Sequence, residues 1–266
     1  MSVRALHSAA SGMSSLQFNL DTIANNLANA GTTAFKRSRT NFEDIYYQQL
    51  KLPGQLNQQA LATAIGIQVG TGSRVQGTQL NFEQGSLVST NADLDIAITG
   101  DGFFQVTDGN SILYSRAGNF ARNSQGQIVM ASADRGYLLE PQIVIPQDAT
   151  NVSVSPDGIV TVQQPNQLPQ QIGTITLAKF VNPAGLLQIG ENLYRESQAS
   201  GTPLLANPGG IEGLGSLRQR FLESSNVDPA TELVDLIKTQ RNFELNGQVV
   251  QAADQTLQLI TNLRRF

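Results

Sequence analysis

Two stretches at opposite ends of the chain carry the same pattern of apolar and polar positions. From residue 3 to residue 30, apolar or small residues fall at Leu6, Ala9, Met13, Leu16, Leu20, Ile23, Leu27 and Ala30. The steps alternate three and four, which predicts a helix with a heptad seam. Gly31 is placed to stop it. Between Ser8 and Ala30 the only charged residue is Asp21, and the other face carries Ser, Asn, Gln and Thr. A second helix is predicted over residues 229 to 264, with Asp228 as N-cap and Pro229 at the first helical position. One stripe of it runs Leu233, Leu236, Phe243, Val250, Leu257, and a neighbouring one runs Val249, Ala253, Thr256, Ile260, Leu263. From Leu245 to Leu263 the only charge is Asp254. A surface helix ordinarily shows Lys and Glu to water. These two look prepared for burial on both faces.

Between the ends the pattern changes. Residues 66 to 220 hold short β-branched or alternating runs: Ile65–Val69, Leu94–Ile98, Phe103–Val106, Gln127–Met130, Gln142–Ile145, Asn151–Val154, Ile159–Gln163 and Ile172–Phe180. Turn pairs such as Asp101-Gly102, Asp108-Gly109 and Asp157-Gly158 separate them. Strands at this spacing predict an antiparallel sandwich or barrel, and no β–α alternation points to a parallel sheet. The fold class is therefore α+β: terminal helices forming a helical domain, with a central antiparallel β-rich domain. The expected boundaries are 1–31 with 226–266 for the helical domain, 32–80 for a linking contact segment and 81–225 for the β-rich domain. In the linking segment a short helix is expected near Asn41–Leu50, then a turn at Pro53-Gly54 and an extended Gln-rich stretch, Gln55–Ala64.

Composition narrows the function. Charged residues are 14% of the 266, well under the usual roughly 25%, so the chain is poorly equipped to repel its own copies. The net charge is −4, and the densest basic cluster, Lys36, Arg37 and Arg39, is too short for a nucleic-acid surface. With no Cys and one His, His7, thiolate metal sites and His-based triads lack their residues. Asp93 and Asp95 share a strand face, and flanking a turn is their simpler role. The glycines of GTGSRVQG and GDGFF do not complete a phosphate-binding fingerprint and fit tight turns better. No cofactor and no small-molecule substrate are expected. The N-terminus lacks a continuous apolar stretch of signal-peptide type, so any export is expected to use another route.

The ends then show a resemblance. IANNLANAGTTAFKR, Ile23 to Arg37, is similar to the signature of the flagellar rod, hook and hook-associated axial proteins. The matching positions are Ala24, Asn25, Asn26, Leu27, Ala28, Asn29, Phe35 and Lys36; Ala34 stands where the family commonly has Gly. The C-terminal SSNVDPATELVDLIKTQRNFELN resembles the family's C-terminal motif at Gln240, Arg241, Phe243 and Glu244. GDGFFQV and YSRAGNF resemble the β-domain of rod and hook proteins, and YYQQLKLPG followed by GIQVGTG, together with ENLYRESQASGTP, resembles the distal-rod branch.

The resemblance implies a structural subunit, not an enzyme. It implies helical homo-polymerisation into a stiff shaft that passes torque from motor to hook. The implied partners are further copies of the chain, proximal rod proteins, the hook protein, the P and L rings and the flagellar type III export apparatus. The implied location is the basal body, from periplasm to outer membrane. The residues expected to carry assembly are Leu6, Met13, Leu20, Ile23 and Leu27 against Leu233, Leu236, Phe243, Val250, Leu257 and Ile260. Phe42, Tyr46, Pro53 and Gly54 are expected contacts of the linking segment. A proximal rod or hook subunit is the alternative within the family, and a cell-wall hydrolase the remote one.

Overall fold

Helix α1 spans Ser2–Ala28 and helix α2 spans Pro229–Leu263. In the computed structural model, the residues described are 2–54, 64–131, 135–210 and 214–263. The caps of α2 are as the sequence predicts. Asp228 Oδ1 accepts from the Ala230 amide at 3.2 Å and Oδ2 from the Thr231 hydroxyl at 2.6 Å, with Pro229 opening the helix. Helix α1 ends two residues before the expected Ala30, where Thr32 turns its amide back to the Asn29 carbonyl.

Among the described residues, twenty strands lie between the helices. They are β1 (Ser38–Asp44), β2 (Gln48–Lys51), β3 (Ile67–Val69), β4 (Ser73–Leu80), β5 (Leu87–Ser89), β6 (Ile96–Thr99) and β7 (Phe103–Thr107). Then follow β8 (Ile112–Ser115), β9 (Phe120–Arg122), β10 (Ile128–Met130), β11 (Leu138–Glu140), β12 (Asn151–Val154), β13 (Ile159–Gln163) and β14 (Gln170–Thr174). The last are β15 (Leu177–Lys179), β16 (Leu187–Gly190), β17 (Leu193–Arg195), β18 (Leu204–Ala206), β19 (Ser216–Gln219) and β20 (Phe221–Glu223).

The chain divides into two units. The first holds residues 1–28, 38–79 and 228–266; the second holds 29–37 and 80–227. The expected linking segment is thus shared, with 32–37 and residue 80 in the β-rich unit and 38–79 in the helical one.

In the helical unit, β1 pairs with β4 and β2 with β3. The short helix expected at Asn41–Leu50 is absent; two strands occupy that stretch. Its apolar spacing also suits a strand, and pairing with β4, some thirty residues away, decides between them. Pro53 and Gly54 are exposed, and the expected Gln-rich stretch lies outside the described residues save Ala64.

The β-rich unit is built on a nine-stranded antiparallel sheet, ordered β16-β17-β8-β7-β11-β10-β9, with β15 joining β7 to β18. Strands β12-β13-β14 form a second sheet. Strand β7 is buried on both faces. Phe104 and Val106 enter the main core with Ile96, Ile98, Leu139 and Ile175, while Phe103 enters an aromatic cluster with Tyr114, Phe180 and Tyr194. Two expected strands differ. Gln142–Ile145, bounded by Pro141 and Pro146, makes only an isolated bridge from Val144 to Gln127. Ile172–Phe180 is two strands, β14 and β15, serving different sheets.

Gly118, in the loop before β9, lies against the backbone of Ile96. The Gly118 carbonyl accepts from the amides of Ile96 (2.9 Å) and Phe120 (3.1 Å), and a Cβ there would meet the Ile96 carbonyl oxygen at 1.6 Å. Gly118→Ala is therefore expected to destabilise the protein by about 2–3 kcal/mol, as backbone rather than a mobile side chain must move. Urea unfolding followed by tyrosine fluorescence checks it.

Candidate functional site

In the helical unit α1 and α2 pack against each other. Contacts at Gly12–Asn246, Asn19–Thr239 and Asn26–Glu232 make the pair antiparallel. These contacts step by seven on both helices. Asn19 Nδ2 donates to Thr239 Oγ1 at 3.2 Å, and Asn26 Nδ2 to Glu232 Oε2 at 3.3 Å; a Cβ on Gly12 would stand 3.7 Å from the Asn246 amide. Polar partners at heptad spacing fix register, because slipping by one turn would orphan each of them. A second polar row on α1 faces the strands: Ser15 donates to the Ser73 carbonyl at 3.2 Å, and Thr40 to Thr22 at 3.0 Å. His7, at the same helix, has Nδ1 3.3 Å from the Thr71 carbonyl.

Of the residues expected to carry the seam, Ile23 is buried, and Leu6, Met13, Leu20, Leu27, Leu236, Phe243, Val250 and Leu257 are half-buried. Leu233 and Ile260 are exposed. Helix α2 also exposes Val234, Ile237, Leu245, Val249 and Leu259, most of which the sequence reading passed over. Among the described residues, the buried apolar side chains of this unit are Ile23, Ala9 and Ala253 alone. Buried polar ones are more numerous: Ser15, Asn26, Thr40, Glu232 and Thr239. Phe42 and Tyr46 are exposed, Tyr46 at 90%.

The N-terminal motif divides between the units, and each part has a job. In the helical unit Asn26 is buried and acts as a strand partner for Ser38. Its Nδ2 donates to the Ser38 carbonyl at 2.8 Å and its Oδ1 accepts the Ser38 amide at 3.0 Å, so β1 starts on a side chain. Ala24, Asn25 and Ala28 lie exposed on α1. At the other terminus Gln240, Arg241 and Glu244 are also exposed.

In the β-rich unit Asn29 and Phe35 are half-buried and Lys36 is fully buried. Lys36 Nζ lies 2.7 Å from Glu223 Oε1 and 2.7 Å from the Glu83 carbonyl. Glu223 Oε2 takes the Arg116 Nε–H at 2.7 Å, while the rest of that guanidinium reaches the carbonyls of Gly100 and Gly102. Asn226 ties the same segment down, accepting the Arg37 amide at 2.7 Å and donating to the Asn81 carbonyl at 2.8 Å. Ala34 adopts φ 57 with its methyl buried, a left-handed conformation that glycine takes without strain. That explains a Gly preference at this turn. Arg116 and Asn226 lie in the quoted YSRAGNF and SSNV stretches, but their meeting with Lys36, Glu223 and Arg37 is not legible there, since Glu223 lies 187 residues from Lys36 and 107 from Arg116, and Asn226 lies 189 from Arg37.

Burial pulls the Lys36 ammonium below its ordinary value, against the Glu223 charge. Burial alone would raise Glu223, but the charges of Arg116 and Lys36 outweigh it and hold the carboxyl below 4.5. Asp93 is engaged by Arg220 at 2.6 Å, and among the described residues no three His, Cys, Asp or Glu side chains converge as a metal site would need.

A folded carboxyl held below its unfolded value contributes stability that is present above pH 4.5 and lost as the pH falls through the folded value. Glu223→Gln leaves two buried cations short of their counter-charge and is expected to cost about 3–5 kcal/mol at pH 7. The gap to the natural chain should narrow on acidification below about pH 4. Urea titrations from pH 3 to 7 check both statements.

The comparisons agree with this layout. Residues 6–36 match the family described as flagella basal body rod protein, 97–162 the flagellar hook protein FlgE/F/G D1 domain, and 218–263 the flagellar basal body rod FlgEFG protein C-terminal. The flagellar basal-body rod protein FlgG of Buchnera aphidicola subsp. Baizongia pistaciae is 45% identical over 98% of this chain and 100% of its own. That of Borreliella burgdorferi is 41% identical over 99% of both. The flagellar hook-basal body complex protein FlhP of Bacillus subtilis is 30% identical over 98% of this chain and 100% of its own. Similar from end to end to such relatives, the chain belongs to the flagellar basal-body rod protein family and is a structural subunit of the flagellar basal body.

Proposed function

We propose that this subunit polymerises helically through α1 and α2 into the distal rod, a stiff shaft that transmits torque from motor to hook. The observation that carries the reading is the helical unit's shortage of buried apolar surface. It buries one large apolar side chain among the described residues, Ile23, while α2 alone exposes seven. Burying a Leu, Ile or Val side chain is worth about 1.5–3 kcal/mol, so this surface is a strong drive to associate. From Leu245 to Leu263 the flanks of α2 carry one charge, Asp254, which there largely removes the desolvation cost of several kcal/mol per ion that close packing of charged helices would carry. Contacts between different faces do not close on themselves and build filaments.

Residues 1–31 and 226–266 serve as the polymerisation domain, 32–80 as a contact segment between subunits, and 81–225 as the β-rich domain. Exposed Phe42, Tyr46, Tyr47, Leu50, Ile65 and Ile67 suit the contact segment to locking neighbours against sliding. The resemblance to the family supplies the remaining partners: proximal rod proteins, the hook protein, the P and L rings, and the type III apparatus that exports the chain. The rod so formed runs from periplasm to outer membrane. Catalysis is no part of the reading, and purified protein is expected to leave cell-wall material uncut.

Concentrated protein is expected to form straight filaments in electron micrographs. Ile237→Asp puts a charge on the exposed flank of α2 and should raise the critical concentration at least tenfold, about 1.4 kcal/mol per contact. The far-ultraviolet spectrum of the monomer should stay unchanged. Unaltered assembly would remove α2 from the contact. Replacing residues 53–64 by a short Gly-Ser turn should give curved, flexible filaments, and straight ones would remove the stiffening role.

A further inference from the structure

Each unit carries a recess, and the two are complementary in charge. In the β-rich unit a recess of about 200 Å³ is walled by Phe82, Phe103 and Phe180 and reaches Lys36 and Arg116, which are 1% and 5% exposed. Lys179 and Asp101, 3.5 Å apart, also line it. With Glu223, three cations face two carboxylates, leaving one positive charge in excess on the buried side. Lys36 donates two of its three ammonium protons, to Glu223 and the Glu83 carbonyl, which leaves one for the recess it lines. Val181, at its rim, is 94% exposed.

In the helical unit a recess of about 340 Å³ is lined by Glu43, Asp44, Ile45, Tyr46, Tyr47 and Arg74. Arg74 pairs with Glu43, so Asp44 is the negative charge in excess. Asp44 is exposed at the end of β1, and its carboxylate makes no hydrogen bond among the described residues. Ile45, Tyr46 and Tyr47 follow it in the lining. One recess offers buried positive charge between aromatic walls and an apolar knob; the other offers a carboxylate on an extended strand and an aromatic socket.

We propose that Asp44 of one copy enters the Lys36–Arg116 recess of a second copy, whose Val181 seats between Tyr46 and Tyr47 of the first. The inference rests on the assembly reading and names one contact within it. The two patches differ, so the contact is heterologous and propagates instead of closing a dimer. A carboxylate brought to the floor would balance the surplus charge there, and its apolar neighbours would cover the aromatic walls.

The chain has no Cys, so engineered thiols report cleanly. Full-length Tyr46→Cys and Val181→Cys proteins are mixed, assembled, imaged and then oxidised. The expected result is filaments with a disulfide-linked dimer containing one of each. Filaments without that dimer overturn the contact and leave assembly standing. Failure of the unmodified chain to form filaments overturns assembly and this contact together. Asp44→Asn should raise the critical concentration about tenfold, with Asp44→Glu restoring most of it and Asp148→Asn changing nothing. Acetate filling the recess in the monomer while Asp44→Asn assembles normally would assign the recess to a small carboxylate and overturn the proposal.

Discussion

The helical unit cannot bury its own apolar surface. Two antiparallel helices offer each other one face apiece, and here polar contacts recur along it. Asn19 meets Thr239, Asn26 meets Glu232, and Gly12 lies against Asn246. Such contacts specify alignment more than they stabilise, since a hydrogen bond exchanged for water is worth about 1 kcal/mol net. Ile23 is the one large apolar residue the unit encloses among those described. The remaining apolar surface is left for other occupants, which in the proposed assembly are copies of the same chain.

The β-rich unit is its counterpart, because it has a core of its own. Its sheet buries aromatic and β-branched residues on both faces, and the buried carboxylate of Glu223 is shared between two cations. That cluster anchors the segment 29–37 in the unit. Lys36 is held by Glu223, Ala34 donates its amide to the Glu223 carbonyl at 2.8 Å, and Asn226 takes the Arg37 amide. The chain leaving α1 is therefore held by three contacts within nine residues of its end. A motif that reads as one signature, Ile23 to Arg37, is physically two devices: a helix-borne asparagine that starts a strand, and a buried lysine held by Glu223.

The long periodic elements were legible because their signal is local. The seam of α1, the Asp228-Pro229 start of α2 and the Asp-Gly turns all follow from residues near one another in sequence. The strand at Ser38–Asp44 was not legible. Phe42, Ile45 and Tyr46 satisfy either period, and the choice falls to pairing with β4. The Lys36–Glu223–Arg116 cluster was hidden for the same reason, with partners 187 and 107 residues apart. The seven-residue polar ladder could have been found by asking which Asn and Thr recur at heptad steps on both helices, instead of tracing apolar residues alone. That would also have explained why Leu233 and Ile260, assigned to the seam, stand exposed.

If neighbouring copies complete the helical unit, its helices are weakly held in the free subunit and become stable on assembly. Amide hydrogen exchange on monomer and filament tests this most directly. The account predicts near-complete exchange within seconds over residues 5–28 and 232–262 in the monomer, alongside lasting protection in the strands of the β-rich unit. In the filament both helices should be protected by several orders of magnitude. Strong protection of the two helices in the isolated monomer would contradict it.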